Sequence, residues 1–292
     1  MDAFAGLLFQ PTIPSLAPSS TFTSRLVPKD IHSHNDYWRQ TPLFDALSYG
    51  CKSIEADIFL VGSGETADLL VGHRKHSLSH SRTLQTMYLG PLERILEVQN
   101  EHTALAVNKP GELVNGVWTS DPSETVQLVL DYKTDGIALH PFVISYLSHL
   151  RSRNLLTTYD EFSGNYTIKP ITVVCTGNCP VELVQAQDPR DVFLDAPLDK
   201  LDKADYGWEV APMASMSLRK LFGSWGAWNL KSEKRLSEIK RLVQIAREKG
   251  IKTRFWDAPS WPAYERDLTW RTLRASGVDY INADNLQAAS KI

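Results

Sequence analysis

Two acids in the stretch SIEADIFLV, Glu55 and Asp57, stand two residues apart, so in a strand both carboxylates leave by the same face. Their neighbours Ile54, Ala56, Ile58, Phe59, Leu60 and Val61 are apolar, which reads as a buried strand rather than a solvated edge. Two acids side by side there are costly unless something positive holds them. The same spacing returns in LVLDYK, where Asp131 and Lys133 end an apolar run and share a face. Three carboxylates without a cysteine make an oxygen-rich site that suits Mg2+, or Ca2+, better than Zn2+. Lys133 can then hold a phosphate oxygen or simply balance the acids.

Histidines supply the second chemical theme. DIHSHNDYW puts His32 and His34 two apart beside Asp30 and Asn35, and LLVGH places His73 where an apolar run opens into a loop. His76 and His80 follow in RKHSLSHSR and read as exposed loop residues. The pair His32-x-His34 has three readings: two metal ligands, two acid-base groups, or one working histidine and its neighbour. Strand alternation cannot separate them, because residues two apart share a face.

These residues need elements that bring them to one place. From about Arg25, short apolar runs alternate with segments of helical period, the pattern of an α/β protein with mostly parallel strands. The strand candidates are KDIHSH, KSIEADIFLV, LLVGH, VQLVLDYK, ITVVCTG, DVFLDAP, IKTRFWDAP and VDYINAD, most of them running from apolar into polar residues at their C-terminal ends. Between them lie helices such as PLFDALSYG and SEKRLSEIKRLVQIAREKG, the second with Leu236, Ile239, Leu242, Val243 and Ala246 on one stripe and Gly250 as its stop. Seven or eight such units predict a (β/α)8 TIM-barrel-like fold with room for distortion, whose chemistry sits at the C-terminal ends of the strands. A doubly wound sheet would call for a glycine-rich loop after the first strand, and HSHNDYW has no glycine. The predicted organisation is a Pro/Ser/Thr-rich tail over 1–28 and one barrel domain over 29–292.

Composition narrows the classes. The chain has 292 residues, 42% of them hydrophobic and 22% charged, and a formal net charge of −3, so it can bury a core and gives no global sign of a nucleic-acid partner. A small-molecule phosphodiester or lipid headgroup is the expected substrate. No apolar run reaches the roughly 20 residues of a membrane span, and a soluble, cytoplasmic protein is expected ahead of a secreted one. Cys51, Cys175 and Cys179 fit neither a zinc knuckle nor a disulfide framework and read as structural or incidental.

HNDY followed by PLFDALSYG, SIEADI, LLVGH, YLGPL, FWDAP and GVDYINADN resembles the fungal altered-inheritance-of-mitochondria family. That family lies in the phospholipase C-like phosphodiesterase superfamily, with glycerophosphodiester phosphodiesterases and sphingomyelinase D-type toxins as relatives. The resemblance runs from about Asp30 to the C-terminus. It implies His34 and His73 as an acid-base pair, Glu55, Asp57 and Asp131 as ligands of one divalent cation, and Lys133 as electrostatic help. Where glycerophosphodiesterases usually carry His-Arg-Gly and His-Asp, this chain has His34-Asn35-Asp36 and His73-Arg74, so glycerol selectivity does not carry over. Tyr37 and Trp256 are candidate aromatic faces for a headgroup, and a choline-like cation would suit them.

Two rivals have different chemistry. Asp-x-His-x-His at a first barrel strand also resembles amidohydrolases, in which His32 and His34 would bind Zn2+ and Asp284 would activate water. That reading needs further histidines at later strand ends. Only His102, His140 and His149 remain, and the last two lie in or near the helical-looking ALHPFVISYLSHLRSR. The other rival is a catalytically silent barrel that binds a phosphorylated ligand or a protein partner, or a relative recruited to lyase or rearrangement chemistry; the intact set of two histidines and three acids speaks against silence.

On the phosphodiesterase reading, one histidine takes a proton from a hydroxyl beside the phosphate and the other protonates the leaving alcohol, with a cyclic phosphate as first product. Two histidines of near-neutral unperturbed pKa then predict a bell-shaped dependence of activity on pH. A monotonic profile, with activity intact after His73→Ala, would refute that pairing.

Overall fold

A computed structural model describes residues 26–100, 115–228 and 230–292. The expected tail lies outside the described residues as far as residue 25, and so does His102. Eleven strands are found among the described residues: β1 (Lys29–Ser33), β2 (Cys51–Val61), β3 (Asp68–Val71), β4 (Val126–Tyr132), β5 (Thr158–Asp160), β6 (Asn165–Thr167), β7 (Ile171–Gly177), β8 (Val192–Pro197), β9 (Met213–Ser217), β10 (Lys252–Trp256) and β11 (Tyr280–Ala283). Eight of them run parallel in the order β1, β2, β4, β7, β8, β9, β10, β11, and β11 pairs back onto β1. The sheet is therefore a closed barrel with helices packed outside, as the alternating pattern predicts.

One predicted stave is a different element. LLVGH forms β3, which pairs antiparallel with β2 (Ile58 opposite Val71) and lies outside the ring. The eighth stave is instead β9, MASMS, which pairs with β8 and β10. Its two serines and short length hide the apolar signature of a strand. The expected distortion is also present: the β1–β2 register shifts between Lys29 and His32, and β2, at 11 residues, projects past the mouth to carry the β3 hairpin.

Strand alternation sorts the side chains into two cores. Ile54, Ala56, Ile58, Leu128, Leu130, Val173 and Leu194 face outwards into the layer shared with the helices. The opposite parity faces the barrel axis, where Val129, Val174, Phe193, Met213 and Tyr280 form a small apolar cluster. Below it the β5–β6 hairpin closes the barrel, with the Tyr166 ring 5.7 Å from that of Phe193. The helical predictions hold: Glu233–Glu248 buries Ile239, Leu242, Val243 and Ala246, and Gly250 follows at φ 70°, a conformation that favours glycine. Among the described residues no helix is long and apolar enough to cross a membrane.

The reading of the cysteines needs correction. Cys175 and Cys179 form a disulfide, with their Cα atoms 5.7 Å apart, while Cys51 stays free and buried, its thiol pushed up to about 12 by burial. The turn at Gly177, φ 68°, folds the end of β7 back far enough to bring the two sulfurs together. A single Cys-x-x-x-Cys without a wider framework gives no hint of this.

Above the apolar cluster the barrel interior turns polar, and Arg254 of β10 is its hub. Its guanidinium donates to Ser215 (2.8 Å), His32 (2.6 Å), Asn282 (3.3 Å) and Asp195 (3.2 Å), and Arg254 and Asp195 are both nearly sealed from solvent. Burial raises the Asp195 carboxyl, and the Arg254 charge is the main force opposing it. Removing one member of such a pair strands the other. Arg254→Met is therefore expected to cost about 3–5 kcal/mol in unfolding free energy. Arg254→Met combined with Asp195→Leu should recover part of that loss in urea titrations; a double variant no more stable than the single would contradict the pairing.

Candidate active site

The acids meet at the C-terminal mouth of the barrel. Asp57 of β2 and Asp131 of β4 are register partners, and Glu55 lies one pleat deeper. One oxygen from each of Glu55, Asp57 and Asp131 lies within 4.8 Å of the others. Lys133 bridges two of them, its Nζ standing 2.5 Å from Asp131 Oδ2 and 3.1 Å from Asp57 Oδ2. Burial works to lower the pKa of the Lys133 ammonium, but Asp131 and Asp57 outweigh it and raise it.

The carboxyl of Asp57 is pushed up to about 6, first by burial and then by the charges of Glu55 and Asp131, with Lys133 opposing. Glu55 goes the other way. Burial works to raise it, yet the charges of Arg254 and His34 hold the carboxyl well below the usual range, and the Asn35 backbone N–H donates to its Oε2 at 3.0 Å. Asp57 Oδ1 is buried without a hydrogen-bond partner among the described residues. Such an orphan costs free energy unless an unseen partner satisfies it. A hard divalent cation shared by the three carboxylates would do so, and an all-oxygen donor set fits Mg2+ or Ca2+.

The three strand-end histidines have three different surroundings. His73 turns Nδ1 towards Asp57 Oδ2 (3.3 Å) and the Tyr37 hydroxyl (3.0 Å). An ionised carboxylate can only accept, so the proton belongs on Nδ1 and Nε2 keeps a lone pair. His34 lines the same cavity and donates from Nδ1 to Asp284 Oδ1 at 2.7 Å. Burial lowers the His34 pKa, but the Asp284 hydrogen bond and the charges of Glu55 and Asp284 reverse the sign and raise it.

His32 lies in the sealed interior. Its Nε2 accepts from Arg254, so its proton sits on Nδ1 and is donated to Ser53 Oγ at 2.7 Å. Burial first, and then the Arg254 charge, lower its pKa to about 3, which leaves it neutral. With both ring nitrogens committed it has no lone pair for zinc. Asp284 is bound to His34 rather than free as a base. His140 and His149 sit in the helices Gly136–Tyr146 and Ser148–Ser152, so among the described residues the zinc-hydrolase reading lacks its ligands.

Tyr37 does not offer an aromatic face. It is 1% exposed, and its hydroxyl contacts Asn35 Oδ1 (2.5 Å) and Asp57 Oδ2 (2.7 Å), which makes it a strut of the acid cluster. The apolar neighbours Ile31, Leu43 and Leu47 enclose this part of the chain, so the ring packs in the core. Trp256 does line the cavity. The cavity holds about 740 Å3 and passes from the acids and His73 across Thr176 and Asp195 to Tyr206 and Trp256.

Four partners were not legible as site residues: Asn35, Asp195, Arg254 and the Asp284 contact with His34. Arg254 and Asp195 did leave a trace, a charge in the apolar runs KTRFW and VFLDAP at the parity that faces the barrel axis. Asn35 is held at φ 48°, left-handed backbone that asparagine tolerates better than most residues, and this aims its N–H at Glu55.

Comparison with known proteins agrees with this geometry. Residues 20–195 match the family described as AIM6-like phosphodiesterase domain. The chain is 36% identical over 275 residues to the altered inheritance of mitochondria protein 6 homolog of Arthroderma benhamiae, covering 91% of this chain and 84% of that one. It is 35% identical to altered inheritance of mitochondria protein 6 of Eremothecium gossypii (89% and 68% covered) and 34% identical to that of Saccharomyces cerevisiae (91% and 71%). Among solved structures, a glycerophosphodiester phosphodiesterase from Parabacteroides distasonis superposes with a TM-score of 0.52 at 13% identity, over 91% of this chain and 97% of that one. That likeness is one of fold.

If the carboxylates hold a cation, Mg2+ or Ca2+ should raise the melting temperature. An ion at 100 times its Kd stabilises by about 2.7 kcal/mol, an effect that EDTA should reverse and Asp57→Asn should remove. Absence of any metal-dependent shift in the wild type at millimolar ion would count against the site.

Proposed function

The chain belongs to the AIM6-like phosphodiesterase family, and from that premise we propose that it is a divalent-metal-dependent phosphodiesterase acting on a glycerophosphodiester or lysophospholipid-type substrate. The observation that supports this reading is the convergence of His34, His73, Lys133 and three carboxylates on one cavity. Glu55, Asp57 and Asp131 would hold the cation, Mg2+ ahead of Ca2+. Bound there, it would offset negative charge on the phosphoryl oxygens.

The protein's own groups divide the rest of the work. His73, with its proton fixed on Nδ1, presents Nε2 as the base that takes a proton from a substrate hydroxyl beside the phosphate. His34, whose protonated form Asp284 and Glu55 favour, is the acid that gives its Nε2 proton to the leaving alcohol. Lys133 stays protonated at the edge of the acids, placed to meet a phosphoryl oxygen once a metal takes over its carboxylate partners. Burial of His32 and Arg254 beneath Glu55 keeps that carboxylate ionised and in place. A cyclic phosphate is the first product; the two histidines can then exchange roles to add water, or the cyclic ester leaves as such. The Cys175–Cys179 disulfide favours an oxidising compartment over the cytoplasmic placement expected from composition.

Phosphorus NMR of the protein with Mg2+ and a panel of glycerophosphodiesters, lysophospholipids and phosphoinositol compounds is expected to show a new cyclic phosphate or monoester signal, lost in Glu55→Ala. His34→Ala and His73→Ala should each lower kcat by roughly 10²–10⁴-fold. Silence across the panel, or full activity in Glu55→Ala, would overturn the proposal.

A further inference from the structure

Exposed aromatic side chains gather where the barrel opens. Trp38 is 63% exposed and leans on the His73 ring, centroids 4.8 Å apart. Trp256 forms part of the cavity wall at the end of β10, and Trp261, in the loop that follows, is 74% exposed. Ile137, 69% exposed, stands in the first turn of the helix after β4. Trp256 ends a barrel strand and the other three lie in the segments that follow one, so all four stand at the mouth through which substrate must pass. Large exposed apolar groups clustered around a cavity mark an interaction surface rather than ordinary protein exterior.

The charge beside them is equally local. The chain as a whole carries −3, yet from His73 to Leu92 it has no acidic residue, and Arg74 and Lys75 are exposed on the loop that leaves His73. Net charge conceals this patch, although exposed acids such as Asp135 and Asp284 also stand at strand ends around the mouth.

We propose that this rim docks the protein on an anionic phospholipid surface, with the cavity opening into the headgroup layer. Tryptophan is suited to that layer, since its ring is apolar and its N–H is polar. Basic residues near an anionic leaflet each add roughly fivefold to partitioning. The apolar groups rise from separate loops around an open cavity instead of forming one continuous patch. A fluid headgroup layer can accommodate such a rim more readily than a fixed protein face can. This goes beyond the phosphodiesterase reading, and its test needs no turnover.

The experiment is co-sedimentation of the full chain with sucrose-loaded vesicles of phosphatidylcholine alone or mixed in equal parts with phosphatidylserine. The wild type is expected to sediment with the mixed vesicles, on the order of tenfold less with phosphatidylcholine alone, and to be released at high salt. Trp261→Ala with Ile137→Ser should weaken binding by on the order of tenfold or more. Arg74→Glu with Lys75→Glu should abolish the preference for the anionic vesicles. Both pairs are at exposed positions, and circular dichroism would verify folding. Wild-type protein left in the supernatant with both vesicles, equal binding to both, or variants that sediment like the wild type would each overturn the docking. A protein that binds vesicles but cleaves no phosphodiester would overturn only the phosphodiesterase reading, and the reverse result only the docking.

Discussion

Asp57 and Asp131 sit opposite each other on adjacent parallel strands, with Glu55 one pleat below, inside a barrel whose walls are apolar. Like charges in that position repel and lose their hydration, so the carboxylates can stay ionised only if cationic groups are built in around them. Arg254 comes up from β10 beneath Glu55, Lys133 closes over the other two acids, and the Asn35 N–H points at Glu55. Each needs its own support: Asp195 and Ser215 for Arg254, the left-handed turn for Asn35. Much of the polar interior exists because three acids were placed where water does not reach freely. Two carboxylate oxygens, Asp57 Oδ1 and Asp195 Oδ1, have no hydrogen-bond partner among the described residues, and the first lies within the acid cluster, where a bound cation would serve it.

The same constraint explains why two histidines on one face of β1 have such different chemistry. His32 and His34 are separated by a single pleat. That step crosses from the sealed interior, where Arg254 occupies the lone pair and burial expels the charge, to the rim, where Asp284 and Glu55 favour it. Depth along the barrel axis, rather than residue type, sets the protonation state. It also assigns tautomers: Nδ1 of His34 and of His73, each facing a carboxylate, bears the proton, whereas His32 Nε2, 2.6 Å from the Arg254 guanidinium, does not, although Glu55 Oε2 lies 3.4 Å away.

Much of this was legible in the sequence because it was periodic. The barrel, seven of its eight staves and the common face of Glu55 and Asp57 all follow from alternation within short apolar runs, and the family motifs named His34 and His73. What escaped depended on partners far away in the chain. Nothing local ties Arg254 to His32, 222 residues earlier, or Asp284 to His34, 250 residues apart. MASMS is a strand only because β8 and β10 hold it on both sides. LLVGH has the composition of a stave, but β2 outruns the barrel and folds the chain back on itself, so pairing direction decided what propensity could not. Tyr37 looked like an aromatic face because sequence shows a ring and hides where its hydroxyl points.

The hairpin that spoiled the strand count is also what completes the site. Because β3 returns antiparallel along β2, with Val71 opposite Ile58, it delivers His73 beside Asp57 without using a barrel position. A parallel stave there would have needed a crossover of a dozen or more residues and would have put its end beside a different neighbour. The hairpin lets a carboxylate and an imidazole meet at the mouth within 16 residues of each other. The short loop it leaves at the rim then sets His73 against Trp38 and carries the exposed Arg74 and Lys75 directly after it. The geometry of the candidate site and the character of the mouth are thus products of one topological choice, and a change in the length of β2 would disturb both together.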